Sequence, residues 1–364
     1  MKLLIGGVTA IVLGVGAMVF FIYHDPSSTN AKNNPFPDIN EPIEPEHHTP
    51  IVLSPLPEEG KDKPSQFGAD RVKDDVKPAA FDGKRAMKYL ESICALGPRV
   101  SGTKQMKKQQ ELIKAHFEAL GAKVTFQSFE AKQNSVKGTV PMTNIIVSFQ
   151  PEKKRRVIIC SHYDTRPIAD QEPDPRDWRD PDKPFLSAND GGSGVALMME
   201  MANHMKDLKT NVGVDFVIFD GEEFVYVTKG GRKDRYFIGS EYFANEWKKD
   251  KNRCDYSAAI LLDMIAGKNL YLPVETNSYR FHKPLVEEIW GIAREQNVRA
   301  FTWKEGHEVQ DDHLSLQKVG IPAIDIIDFD YVHWHRLADT PEACSPASFE
   351  DVAKVLSVWL QRTK

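Results

Sequence analysis

Over residues 80–364, short and uniformly apolar runs alternate with longer stretches whose apolar residues recur every three or four positions. That alternation predicts strands and helices in turn. Helices are expected over 84–95 and 103–120. In the second, Met106, Gln110, Ile113 and Phe117 trace one face, and Gly121 closes it. Strands are expected at 124–129 and 144–149. From there the order repeats. Strand 157–160 leads through a loop to helix 192–206, and strand 214–219 to helix 239–248. Strand 258–262 precedes helix 283–296, and strand 323–327 precedes helix 347–361. Continuous apolar strands alternating with helices predict an α/β fold whose sheet is covered on both faces. Ligand sites of such folds lie beyond the carboxyl ends of the strands.

Two different regions precede this domain. Residues 3–23 carry no charge, a run long enough to cross a bilayer as a helix. Lys2 before it favours an N-inside orientation. The run is long for a cleaved signal peptide, and no small-x-small site closes it. As membrane anchor or as signal segment, it predicts that the remainder lies in the cell envelope, on the periplasmic or extracellular side. Residues 24–79 contain ten of the 23 prolines, mixed with charged and polar residues. Such a stretch buries too little apolar surface to offset chain entropy, so a disordered linker is expected. His47 and His48 inside it read as solvated side chains.

Bulk composition narrows the chemistry only slightly. Hydrophobic residues at 41% and charged residues at 27% describe an ordinary globular chain. A net charge of -5 argues against a nucleic-acid partner, which favours a basic patch. Cys94, Cys160, Cys254 and Cys344 lie far apart without a CxxC pair. That spacing excludes a zinc ribbon and a thioredoxin-like motif and predicts mostly buried thiols.

Position changes the picture more. Strand 157–160 runs into Ser161-His162-Tyr163-Asp164. The loop before helix 192–206 holds Asn189-Asp190-Gly191-Gly192. Strand 214–219 runs into Asp220-Gly221-Glu222-Glu223, strand 258–262 ends at Asp263, and Trp334-His335 follow strand 323–327. Singly, each of these is an ordinary cap or surface residue. Together, at the ends of consecutive strands, they point to a zinc site. Asp190, Glu223 and His335 would supply three ligands and leave one position open. Glu222, beside a ligand, would serve as general acid/base.

In order along the chain, Leu96-Gly97-Pro98-Arg99, Ser161-His162-Tyr163-Asp164, Ala188-Asn189-Asp190 and Phe219-Asp220-Gly221-Glu222-Glu223 form a specific series. It continues with Gly239-Ser240, Leu261-Leu262-Asp263-Met264-Ile265, Val309-Gln310-Asp311-Asp312-His313 and Trp334-His335. The series resembles the zinc aminopeptidase superfamily, and within it the glutaminyl-peptide cyclotransferases of the animal type and their bacterial relatives. The resemblance implies a three-layer α-β-α sandwich with a mixed, mostly parallel central sheet. It implies Zn2+ on Asp190, Glu223 and His335, with Glu222 as proton shuttle. Asp263 and Asp311 would form a hydrogen-bonded carboxylate network beside it, Trp334 a pocket wall, and Gln310 a substrate contact. The substrate would be a peptide or protein N-terminal glutamine, cyclised to pyroglutamate with release of ammonia.

Two other readings stand beside that one. A two-zinc aminopeptidase would use His162, Asp190 and Asp263 for a second metal and water as nucleophile. The loop after the glutamate pair, Phe224-Val225-Tyr226-Val227-Thr228, lacks the tryptophan of animal cyclotransferases. A metal-free scaffold domain would show broken ligands, and none is broken. Elsewhere, Trp178, Trp247, Trp290 and Trp303 read as packing or rim residues, and His282 and His307 have no evident partner. His313 reads as support for the Asp311 loop, and the 153–156 Lys-Lys-Arg-Arg run as a solvated turn.

Overall fold

Side chains on successive residues of a strand point to opposite faces, and here both faces are apolar. A computed structural model describes residues 53, 54, 56, 76–226, 233–251 and 253–364. The apolar run 3–23, most of the proline-rich linker and residues 227 and 228 lie outside these. Among the described residues no helix is long and apolar enough to cross a membrane.

The chain runs α1 (Gly83–Cys94), α2 (Lys104–Ala119), β1 (Lys123–Ala131), β2 (Val140–Phe149), β3 (Arg155–His162) and α3 (Ser193–Ala202). It continues β4 (Gly213–Phe219), α4 (Ile238–Lys249), β5 (Asp255–Asp263), β6 (Leu272–Val274) and α5 (Thr276–Glu295). It ends with β7 (Phe301–Glu305), α6 (Asp312–Lys318), β8 (Ala323–Ile327) and α7 (Pro346–Arg362). The main sheet has the order β1-β2-β4-β3-β5-β8. β4, β3, β5 and β8 are mutually parallel, while β2 pairs antiparallel with both β1 and β4.

Alternate strand residues separate two cores. Val157, Ile159, Phe216, Ile218, Ile260 and Leu262 pack on one face under α1, α2, α3, α5 and α7. Ile158, Cys160, Val217, Phe219, Ala259 and Leu261 face the other way, under Phe243 of α4 and Leu316 of α6. The expected α/β sandwich with its mixed, mostly parallel sheet is therefore present. All four cysteines are buried free thiols.

Differences from the sequence reading have local causes. α5 begins at Thr276 rather than 283, because Glu275 caps it by accepting from Asn277 and Ser278. Its backbone breaks at His282 (φ -136°, ψ 40°), just before Pro284, which has no N–H to donate. β6, β7 and α6 are short, and tertiary pairing rather than a periodic pattern makes them. The basic run at 153–156 is not a solvated turn throughout. Arg156 is buried, with Nη2 2.6 Å from Asp215 Oδ1, and Tyr256 donates to Asp215 Oδ2 at 2.7 Å. His307 does have a partner, Asp330, at 2.7 Å.

Candidate metal centre

Because β3, β4, β5 and β8 are parallel, their carboxyl ends open on one edge of the sheet. His162 ends β3, Asp263 ends β5, and Glu222 and Glu223 follow β4 after one tight turn at Gly221. Asp190 sits at the entry to α3, and His335 on the loop after β8. Hydrogen bonds across sequence hold these pieces in place. Asp164 accepts from the N–H of Glu222 at 3.1 Å and of Glu223 at 3.2 Å. The Arg166 N–H donates to Glu223 Oε1 at 2.8 Å. Asp339 accepts from the N–H groups of Asn189 and Asp190, and from the Tyr331 hydroxyl. Gly191 has φ +74°, and a side chain there would meet His162 Cε1 at 2.8 Å. His335 itself sits at φ +52°, a conformation that costs a non-glycine residue about 1 kcal/mol or more and gathers at functional sites.

Among the described residues three groups of potential ligands result, two of which share Asp190. Those two are Asp190, Glu223 and His335, and His162, Asp190 and Asp263; the third is His162, Glu222 and Glu223. His335 Nε2 lies 3.2 Å from Glu223 Oε2 and 3.6 Å from Asp190 Oδ2. His162 Nε2 lies 3.1 Å from Asp190 Oδ1 and 3.4 Å from Asp263 Oδ1. Ligand atoms around tetrahedral zinc at 2.0–2.2 Å would be separated by roughly 3.3–3.6 Å. Asp190 Oδ2 and Asp263 Oδ1 are buried with no hydrogen-bond donor. Both observations fit a divalent cation. Asp170 Oδ1 lies 2.9 Å from His335 Nδ1, a pairing that orients the opposite nitrogen toward a metal. Asp164 Oδ1 lies 3.6 Å from His162 Nδ1, beyond hydrogen-bond distance.

The electrostatics agree. Burial pushes the Glu223 carboxyl up to about 7, with the neighbouring Asp190 charge adding to it. Burial also raises Glu222 well above the usual range, reinforced by Asp311, Glu223 and Asp312 against the opposing pull of His162. Asp263 and Asp311 are raised by burial first, with the charge of Asp190 adding for Asp263 and that of Asp263 for Asp311. Carboxylates packed this densely need protons or a cation.

Every predicted ligand and Glu222 come together. Asp311 caps α6, accepting from the Asp312 N–H at 2.6 Å, and acts on Asp263 and Glu222 through its charge. Trp334 is half-buried and stacks on His335 at 4.1 Å between ring centroids. Gln310 is exposed beside Asp311. His313 lies buried between Glu275 and Asp325, away from both clusters. Asp170, Arg166 and Asp339 escaped the sequence reading. Asp170 falls in residues 167–185, a loop rich in Asp, Pro and Arg, and Asp339 is an isolated carboxylate in a loop. Neither carries a periodic or motif signal.

A family model described as Peptidase family M28 matches residues 144–360. In fold the chain is similar to the crystal structure of Fimbriiglobus ruber glutaminyl cyclase. The two are 48% identical with a TM-score of 0.78, over 80% of this chain and 99% of that one. The structure of Bacteroides thetaiotaomicron glutaminyl cyclase bound to N-acetylhistamine is 28% identical with a TM-score of 0.72. That match covers 79% of this chain and 100% of the other. By sequence, the Drosophila melanogaster glutaminyl-peptide cyclotransferase is 21% identical over 285 residues, 72% of this chain and 76% of that protein.

Proposed function

The chain belongs to peptidase family M28, and from that premise we propose that it is a zinc-dependent glutaminyl-peptide cyclotransferase. The observation that carries the reading is a likeness of 48% identity, along 99% of its length, to a glutaminyl cyclase. The site supplies what the reaction needs. Asp190, Glu223 and His335 would hold zinc, which when bound polarises the γ-amide carbonyl of an N-terminal glutamine. Glu222, raised by burial, takes a proton from the α-amine as that nitrogen bonds to the amide carbonyl carbon, Cδ. The same carboxyl returns the proton to the amide nitrogen, which leaves as ammonia. Asp311, Glu223 and Asp312 favour the protonated form of Glu222 through their charges. Trp334, held against His335, offers a flat apolar wall to the forming ring. The nucleophile is tethered to its target, so positioning supplies much of the rate.

A second reading rests on one specific observation. The cluster His162, Asp190 and Asp263 is as tightly drawn as the first, which favours a two-zinc aminopeptidase with water as nucleophile. One assay separates the two. The purified chain is incubated with a Gln-X-X peptide and zinc content is measured. Cyclisation releases ammonia, leaves the peptide otherwise intact, and is expected with about one zinc per chain. Release of free N-terminal amino acids with two zincs would replace this reading with the second. N-acetylhistamine, seen bound to the Bacteroides relative, is expected to compete with the glutaminyl substrate.

A further inference from the structure

The groove between α5 and β7 is occupied by the protein's own linker. The Ser54 N–H donates to the Tyr279 hydroxyl oxygen at 2.9 Å, and Trp303 Nε1–H donates to the Ser54 carbonyl at 2.9 Å. Lys283 Nζ donates to Ser54 Oγ at 3.2 Å. On either side, Leu53 and Leu56 are half-buried against the main core. Tyr279 and Trp303 meet edge-to-face at 5.9 Å and form the floor of the contact. Backbone donor, backbone acceptor and both apolar flanks of one short segment are thus satisfied by the folded domain. Composition predicts an unattached chain here; these contacts describe a bound one.

The place of attachment has a consequence. α5 is broken at His282, ahead of Pro284. Tyr279 lies before that break and Lys283 after it, so Ser54 bridges the two parts. The part before the break is tied to the chain that leads to Asp311. Glu275 accepts from the Val309 N–H at 3.0 Å, and Asn277 Nδ2–H donates to the Val309 carbonyl at 3.0 Å. Val309 leads directly to Gln310 and Asp311. A segment that ties Tyr279 to Lys283 and Trp303 therefore braces the turn from which the 309–311 loop hangs.

We propose that Leu53, Ser54 and Leu56 form a docking strap, bound in the α5–β7 groove across the α5 break, that anchors the linker to the catalytic domain and steadies the 309–311 loop.

Native-state hydrogen exchange on the full chain tests the strap. Wild type is compared with the double substitution Leu53→Asp, Leu56→Asp. Both positions lie outside the elements of the domain, and far-UV circular dichroism checks that the fold is kept. In wild type the Ser54 amide is expected to exchange at least about tenfold more slowly than an unstructured peptide. In the variant it should exchange at the peptide rate, and amides of residues 276–281 and 309–311 should exchange faster than in wild type. Trp303→Phe, which removes the indole donor and keeps an aromatic ring against Tyr279, should give intermediate protection. A Ser54 amide at the peptide rate in wild type would overturn docking. Unchanged exchange at 276–281 and 309–311 in the double variant would overturn the bracing. Neither readout depends on which reaction the site performs.

Discussion

Glu222 and Glu223 are adjacent in sequence, yet their surroundings give them different work. Glu223 receives the Arg166 N–H and lies 3.2 Å from His335, a ligand's position. Glu222 lies no closer than 3.9 Å to His162 and keeps a partly exposed carboxyl. Glu222→Gln is therefore expected to lower kcat by about 10²- to 10⁴-fold with zinc content unchanged, read by steady-state assay and metal analysis on one sample. An active variant would remove Glu222 from the proton transfer. Asp170 acts one step further out. It holds His335 Nδ1 at 2.9 Å and is itself held by Arg166 Nη2 at 2.9 Å. Asp170→Asn should weaken zinc binding about 10- to 100-fold in competition with a chelator. Affinity equal to wild type would show that His335 is oriented without it. Asp170 was invisible in the sequence because nothing in a proline- and aspartate-rich loop says which aspartate turns inward.

At the scale of elements, the parallel strands are tied at both ends. Their carboxyl ends converge on the candidate metal ligands, and their amino ends on Arg156, Asp215 and Tyr256, from β3, β4 and β5. This buried trio explains why one arginine of a basic run is inaccessible. Arg156→Met leaves Asp215 buried with its cation gone, a change that costs about 3 kcal/mol or more. Urea unfolding should show that loss as a lower midpoint with an unchanged slope, and zinc content should stay the same. A midpoint equal to wild type would mean that the trio adds nothing to the sheet. The strand pattern itself was legible because every residue of β4 and nearly every residue of β3 is buried. β7 was not: its burial runs from buried to exposed within five residues, and it exists by pairing with β6. α6 spans only seven residues and depends on the Asp311 cap.

For the whole molecule, the buried charges couple stability to metal and to pH. Without a cation, burial raises Glu223 and Asp339 to about 7, each reinforced by Asp190. His335 is raised to about 9, where the pull of Asp170 and Glu223 outweighs burial and Arg166. Groups raised in the folded state bind more protons folded than unfolded. Their contribution is complete below the unfolded values, near 4 for the carboxyls and 6.5 for the imidazole, and is lost as pH rises through the folded ones. The metal-free protein should therefore lose stability between about pH 5 and pH 8, where zinc removes the need for those protons. Scanning calorimetry with and without chelator is expected to show a larger zinc-induced rise in Tm at pH 8 than at pH 5.5. An equal rise at both would mean that these carboxyls do not share protons in the metal-free site.

What the sequence by itself determined is the α/β class, the order of the main strands and helices, and the group of residues at the strand ends. Those follow from apolar periodicity and from local motif, which act over a few residues. Tertiary structure decided how the ligands combine. Asp190 faces His335 with one oxygen and His162 with the other, which no spacing along the chain encodes. It decided which carboxylate backs His335, that Arg156 is buried, and that a stretch of linker lies in a groove against Tyr279 and Trp303. Each of these depends on contacts between residues far apart in the chain, and burial gives them their strength by removing the water that would otherwise screen or replace them.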